Sequence, residues 1–218
     1  MEKVKKCTRP VLILEGAGDK QSVPNFIRQL LVTHEVFDIY IQPDPILKQN
    51  IPRLRSAGQL ERFIRYGASR EGDSILLLLD SDAHCPNEIV VDFSMRIEKL
   101  PIEKKIGIGF FKCEFEVYFL YCLDLIAERY PEYGWNLGDW NPDSDFETIV
   151  NAKGFLSKRM KKGRSYKATR DQAKFASVIE FDRLRAGSRS FRHFESLLLW
   201  LVGKGRNDGN ICPAPLRP

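Results

Sequence analysis

The sequence predicts an α/β protein: a mostly parallel sheet of about four strands flanked by helices, followed by a basic helical C-terminal subdomain. Three observations predict it. Short aliphatic runs alternate with amphipathic stretches through the first 110 residues, the pattern of strand–helix–strand units. The strongest run, Ser74–Asp80 (SILLLLD), has no polar residue between its ends, as befits a strand covered on both faces. Charge is also divided along the chain. Residues 1–150 hold 18 Lys+Arg against 24 Asp+Glu, whereas 151–210 hold 15 against 5. The net +5 of the 218 residues thus conceals an acidic part joined to a basic one, which suggests a polyanion held by one and worked on by the other.

The elements follow in order. VLILE (Val11–Glu15) reads as a strand buried on both faces, and GAGDKQS breaks it. Ser22 is expected to cap a helix with Pro24 in its first turn and Phe26, Leu30 and Leu31 on its apolar stripe. VFDIYI (Val36–Ile41) is the expected second strand. Prolines at 43, 45 and 52 then mark a loop, and Leu60, Phe63 and Ile64 a helix ending near Gly67. After the Ser74–Asp80 strand, Pro86 and Asn87 open a helix carrying Ile89, Val90, Phe93 and Ile97. KIGIGFF (Lys105–Phe111) is the fourth strand, and Glu114–Tyr130 has helical spacing. A Gly-, Pro- and aromatic-rich stretch follows, then three or four short helices, the last over about Ser190–Val202. This divides the chain into an α/β core over 8–130 and a loop plus basic helical extension over 131–218.

The composition, 43% apolar and 29% charged, excludes disordered, collagen-like and coiled-coil classes. Five cysteines at positions 7, 85, 113, 122 and 212 form no CxxC pair, which points to a reducing compartment and away from a clustered zinc site. MEKVKK precedes an apolar run too short for a signal peptide, and no stretch approaches the ~20 apolar residues of a membrane span. The expectation is a cytoplasmic protein with no membrane partner.

In open parallel sheets, ligands bind beyond the carboxyl ends of the strands. Here those ends deliver carboxylates: Glu15 after the first strand with Asp19 close behind, Asp80-Ser81-Asp82 after the third, and Glu114 and Glu116 after the fourth. An Asp-x-Asp on an extended strand end is expected to aim both carboxylates to one side. Clustered carboxylates repel unless a cation sits among them, and hard oxygen ligands favour Mg²⁺ or Mn²⁺. Residues two apart on a helix diverge, so only one of Glu114 and Glu116 is expected to join the site. His84, two residues beyond Asp82, reads as a polar loop residue. No GxGxxG, Walker A or Ser/His/Asp constellation is present.

LILEGAGDKQSVPNFIRQLL followed by ILLLLDSD resembles a TOPRIM domain, the fold shared by topoisomerases, primases and several nuclease families. That family carries a Glu-Gly after its first strand and an Asp-x-Asp after its third. The resemblance assigns Glu15 to the acid/base or metal-binding glutamate, and Asp80 and Asp82 to metal ligands. Asp19 matches the second acid of nucleases of the overcoming-lysogenization-defect (OLD) type. CEFEVYFL resembles a "Glu, any, Trp, Leu" element of small stand-alone TOPRIM proteins of uncharacterised function, which favours Glu116 as a further ligand; Tyr118 stands where that element has Trp. SYKATRDQAKF and SRSFRHFESLL resemble the C-terminal part of the same group, whose lysine corresponds to Lys167. The resemblance implies a Mg²⁺- or Mn²⁺-dependent nuclease acting on DNA or RNA. It also implies a separate ABC- or AAA-type ATPase partner in antiviral defence. A haloacid-dehalogenase phosphatase fits less well, because its Asp-x-Asp lies on the first strand.

The residues themselves suggest the chemistry. Asp80, Asp82 and Glu15 or Glu116 are expected to hold the ions, which lower the pKa of an attacking water. Glu15 or Asp19 takes its proton, and Lys167 stabilises charge on the phosphate. Lys158, Arg159, Lys161, Lys162, Arg164 and Arg170, within SKRMKKGRSYKATR, are expected to bind phosphate backbones without regard to sequence. Trp135 and Trp140 are expected to pin a long loop to the core rather than stack bases. The alternative is a non-catalytic TOPRIM module that binds nucleic acid or a partner ATPase and cuts nothing.

Overall fold

A computed structural model describes residues 8–41, 45–47, 50–205 and 211–213, with Leu47 and 211–213 described by their backbone. The MEKVKK start, Cys7, Pro43 and Arg217 lie outside the described residues. The architecture is mixed α/β. Three long parallel strands, β1 (Pro10–Leu14), β3 (Ser74–Asp80) and β4 (Lys105–Phe111), form the middle of a small open sheet. The short β2 (Ile46–Leu47) pairs with β1 and the short β5 (Ile211–Pro213) with β4, giving the order β2-β1-β3-β4-β5.

The expected second strand, Val36–Ile41, does not form. Its one ladder contact is a bridge between Thr8 and Ile39, and the place beside β1 is taken by Ile46–Leu47. Strand-like composition was misleading here: Phe37 and Tyr40 are exposed, and Ile41 alone is deeply buried.

Side chains of the long strands alternate between two cores, as the period of two requires. Leu12, Leu14, Leu76 and Leu78 face one cluster. Val11, Ile13, Ile75, Leu77 and Leu79 face the other, closed by α3 (Gln59–Ser69) and α4 (Pro86–Ile97) with the short α2 (Ile51–Arg55). The first core is covered by α1 (Asp19–Thr33) and the C-terminal helices, so residues from 8–130 and from beyond 131 share it: Phe26 of α1 lies 6.0 Å, centroid to centroid, from Phe194. Gly107 and Gly109 of β4 let α10 (Arg189–Leu201) approach closely. A Cβ on Gly107 would meet Leu201 at 2.9 Å and Leu197 at 3.1 Å.

Helix α1 begins at Asp19 rather than at the expected Ser22 cap, with Gly18 before it and Pro24 inside it. The Ser22 hydroxyl is buried and donates to the Gly18 carbonyl at 3.0 Å and to Gln172 Oε1 at 2.7 Å. The expected helix over 114–130 is two short ones, α5 (Val117–Leu120) and α6 (Leu123–Arg129). Beyond 131 come α7 (Ala152–Lys158), a π-helical turn (Ala168–Gln172), α8 (Ala173–Ala176), α9 (Phe181–Gly187) and α10, which Ser188 caps through its hydroxyl. Trp135 and Trp140 pin the intervening loop by donating to the Tyr130 and Leu120 carbonyls at 3.0 and 2.7 Å. Among the described residues, no helix is long and apolar enough to cross a membrane.

Candidate functional site

Because β1, β3 and β4 are parallel, their carboxyl ends share one edge of the sheet. Glu15 follows β1, Asp80 ends β3, and Glu114 stands three residues after the end of β4. Asp80 is in register with Phe111, and its Oδ1 accepts the Phe115 N–H at 3.1 Å, tying the β4 loop to the β3 end. The chain after Asp80 is not extended. Asp82 has a left-handed φ of +48°, its N–H donates to the Cys113 carbonyl at 2.9 Å, and the buried Ser81 hydroxyl accepts the Cys113 N–H. Strand alternation therefore ends at Asp80, and the loop, not the pleat, sets the direction of Asp82. The energetic cost of a left-handed Asp is modest.

The carboxylates form two tiers. Asp19, Asp80 and Glu116 make the inner one. Burial lifts the Asp19 carboxyl, opposed by the hydrogen bonds from Gly16 and Gln172. Burial, then Glu116 and Asp19, pushes Asp80 well above the usual carboxylate range. Glu116 is fully buried and also raised, by burial. In the outer tier, partial burial and then Glu15 and Glu114 raise the exposed Asp82.

One cation serves both tiers. Lys153 Nζ lies 2.9 Å from Glu114 Oε1 and 3.4 Å from Glu116 Oε2, and its N–H donates to Glu114 Oε2 at 3.1 Å. Burial works against the ammonium, but Glu116, Glu114 and Asp80 outweigh it and hold its pKa above the ordinary value. Lys153 also lowers the carboxyls of Asp19, Asp80 and Asp82. The expectation that only one of Glu114 and Glu116 could reach the site is corrected. Both reach Lys153, because the helix starts only at Val117 and the two glutamates precede it in a turn.

The inner tier is wired to the C-terminal segment. Gln172 Nε2 donates to Asp19 Oδ1 at 3.0 Å and to Glu116 Oε1 at 3.2 Å. The buried Tyr166 hydroxyl donates to Glu116 Oε1 at 2.9 Å. The π-helical turn brings Gln172 here, and Gly18 gives it room. A Cβ on Gly18 would stand 2.7 Å from Ala168 Cβ and 2.8 Å from Gln172 Oε1. Single π-turns recur at functional sites. Glu116 Oε2 accepts no hydrogen bond among the described residues, its nearest cation being Lys153.

The basic segment divides by function. Arg159 pairs with Asp139 at 2.8 Å and lies 3.7 Å from the Phe155 ring centroid. Arg164 sits 3.9 Å from that of Tyr133. Arg170 grips the buried Asp171, whose carboxyl, raised by burial, is brought below its ordinary value by Arg170, Tyr133 and the Lys167 N–H. Lys158, Lys161, Lys162 and Lys167 are exposed. Lys167 flanks the π-turn, and the cation placed directly on the carboxylates is Lys153. Its signal in the sequence, a lysine in the first turn of a helix, is too common to single out.

The donors fit a hard divalent cation: all are carboxylate oxygens, one of them, Glu116 Oε2, buried without a hydrogen-bond donor. As placed, no three His, Cys, Asp or Glu side chains stand at ligating distances among the described residues. Lys153, Gln172 and Tyr166 engage Glu114, Glu116 and Asp19 instead. No curated protein and no solved structure matches the chain. Residues 14–199 match the model of the family described as a domain of unknown function (DUF4276), so every site residue named here from Glu15 to Gln172 lies within the match and the chain belongs to that family.

Proposed function

We propose that the protein is a TOPRIM-like, Mg²⁺- or Mn²⁺-dependent nuclease. The observation that carries this reading is the edge itself: six carboxylates from three stretches of chain, with the ammonium of Lys153 set among them. Four of them are raised by burial, an arrangement typical of functional sites. The strand-end placement of Glu15 and Asp80 supports the TOPRIM resemblance.

Asp80 and Asp82, with Glu15 or Glu116, would hold the cation. A bound divalent ion supplies neutralisation of the scissile phosphate and a more acidic water. Glu15, at the carboxyl end of β1, accepts the proton of the attacking water. Asp19 stays oriented by Gly16 and Gln172. Lys153 is a positioning residue that sets Glu114 and Glu116. The exposed Lys158, Lys161, Lys162 and Lys167 contact phosphates of the polyanion. The chain has no Walker A motif, so a separate ATPase partner and a role in antiviral defence, both drawn from the family resemblance, belong to this proposal.

The test is incubation of the purified chain with single- and double-stranded DNA and RNA in Mg²⁺ or Mn²⁺, alone and with its ATPase. Cleavage stopped by chelation is expected, and intact substrates throughout would sink the reading. A second reading draws on the hydrogen-bonded run Asp19–Gln172–Glu116–Tyr166, which is also what a structural knot needs: a non-catalytic module that binds nucleic acid or a partner.

A further inference from the structure

A concavity lies at the same edge of the sheet, beside the end of β4. It has a volume of about 240 Å³ and opens between the first turns of α4 and α10. Its walls are apolar and partly aromatic: Val90, Phe110 and Phe194, each at most 7% exposed. Its rim carries Lys112, Arg189 and His193. Burial, then Arg189 and Arg192, holds the His193 imidazole below its ordinary pKa, so it is uncharged at neutral pH. Arg189 Nε stands 3.4 Å from His193 Nε2. The one carboxylate in the lining, Glu147, is already engaged: its Oε1 accepts the Ser188 hydroxyl at 2.6 Å and the Ser190 N–H at 2.7 Å.

We propose that this cavity binds one nucleotide unit, its ring between the Phe110 and Phe194 walls and its phosphate on Lys112 and Arg189. Two permanent cations beside a neutral imidazole suit a phosphate, and aromatic walls suit a planar ring, whose stacking is tolerant of base identity. The volume falls below the ~300–1,000 Å³ typical of sites for drug-sized ligands, which suits a single ring system. Position supports it as well. Phe110 is in register with Leu79, the residue before Asp80, and Lys112 is two residues before Glu114. The nucleotide can be free or one unit of a strand. The strand source rests on the nucleic-acid reading above; mononucleotide binding does not.

The experiment titrates the full chain, in EDTA, with AMP, adenosine and inorganic phosphate, and with a fluorescein-labelled pentathymidylate. Saturable AMP binding is expected at a Kd of about 1 mM or tighter, stronger than either adenosine or phosphate. Asn87→Trp, at an exposed position of the lining, should fill the cavity and weaken AMP at least 10-fold. Lys112→Ala with Arg189→Ala should reduce AMP to the affinity of adenosine. Competition between AMP and the pentathymidylate identifies a strand as the source; AMP binding without competition identifies a free nucleotide, and the site stands in both cases. Absent saturation by AMP, or AMP binding indifferent to Asn87→Trp and to the double variant, overturns the proposal. Because no metal is present, a chain that cuts nothing can still support it, and a chain that cuts can still refute it.

Discussion

At the carboxyl edge of the sheet, six carboxylates separated by up to a hundred residues come together, five of them with Lys153, whereas in Ser157–Arg170 seven cations adjacent in sequence disperse. Arg159, Arg164 and Arg170 are engaged by Asp139, Phe155, Tyr133 and Asp171, while four lysines are exposed at the surface. Adjacency in sequence is thus a poor guide to a shared surface, and strand-end position a good one to a shared site. The physical reason is that a parallel sheet aligns its carboxyl ends by hydrogen-bond register, while a run of charges on short helices and turns has no such constraint.

The largest effect expected on this contrast comes from its acidic side. Asp80→Asn keeps an oxygen for the Phe115 N–H but removes a ligand and a charge. If metal binding at the edge drives phosphodiester cleavage, several kcal/mol of transition-state stabilisation are at stake, or on the order of 10³-fold in rate. Polyanion binding should be spared. Measured beside Asp82→Asn, a melted fold in place of lost cleavage would favour the structural-knot reading.

Lys153→Met comes next. It leaves Glu114 and Glu116 without their cation. Breaking a fully buried pair costs about 3–5 kcal/mol. Because 41% of the Lys153 side chain is exposed, about 1–2 kcal/mol is expected here, with part of the lost Tm restored by Mn²⁺. An unchanged Tm would show that the two tiers do not depend on this ammonium.

The acidity of the inner tier gives a pH test. Asp19, Asp80 and Glu116 have folded pKa values above their unfolded ones. Their contribution to stability is complete below the ordinary carboxylate pKa and is lost as pH rises through the raised values. Metal-free stability should therefore carry a component that falls from acid toward neutral pH, and the Tm gain on adding Mn²⁺ should be larger at pH 8 than at pH 5. A gain independent of pH would separate the metal from these three groups.

The smallest effect belongs to the basic segment. Replacing Lys158, Lys161 and Lys162 by Ala should flatten the dependence of log K on log salt by about 2 for single strands, with Tm unchanged. Arg170→Ala should do the reverse, lowering Tm through Asp171 with little change in salt slope. Equal slopes for both variants would erase the division between the lysines and the carboxylate-bound Arg170.

Much of the frame was legible. The aliphatic runs of β1, β3 and β4 are long, nearly free of polar residues and buried on both faces, so composition alone marks them. Glu15 and Asp80 stood out because a strand end fixes where a carboxylate goes, and Glu116 through the resemblance of CEFEVYFL to a TOPRIM element. VFDIYI failed as a strand because composition does not say which short segment wins the place beside β1. Tyr166 and Gln172 escaped because each needs a partner about fifty or more residues away to reveal its role.

The sequence by itself therefore determined the layered α/β class, the three long strands and the edge to which their carboxylates are delivered, since these follow from local hydrophobic periodicity. Tertiary structure decided which groups meet: Lys153 with Glu114 and Glu116, Gln172 with Asp19, and the arginines of the basic segment with Asp139, Tyr133 and Asp171. Such meetings depend on close approaches, such as the π-turn against Gly18, that are made by packing across the whole chain and leave no periodic trace in it.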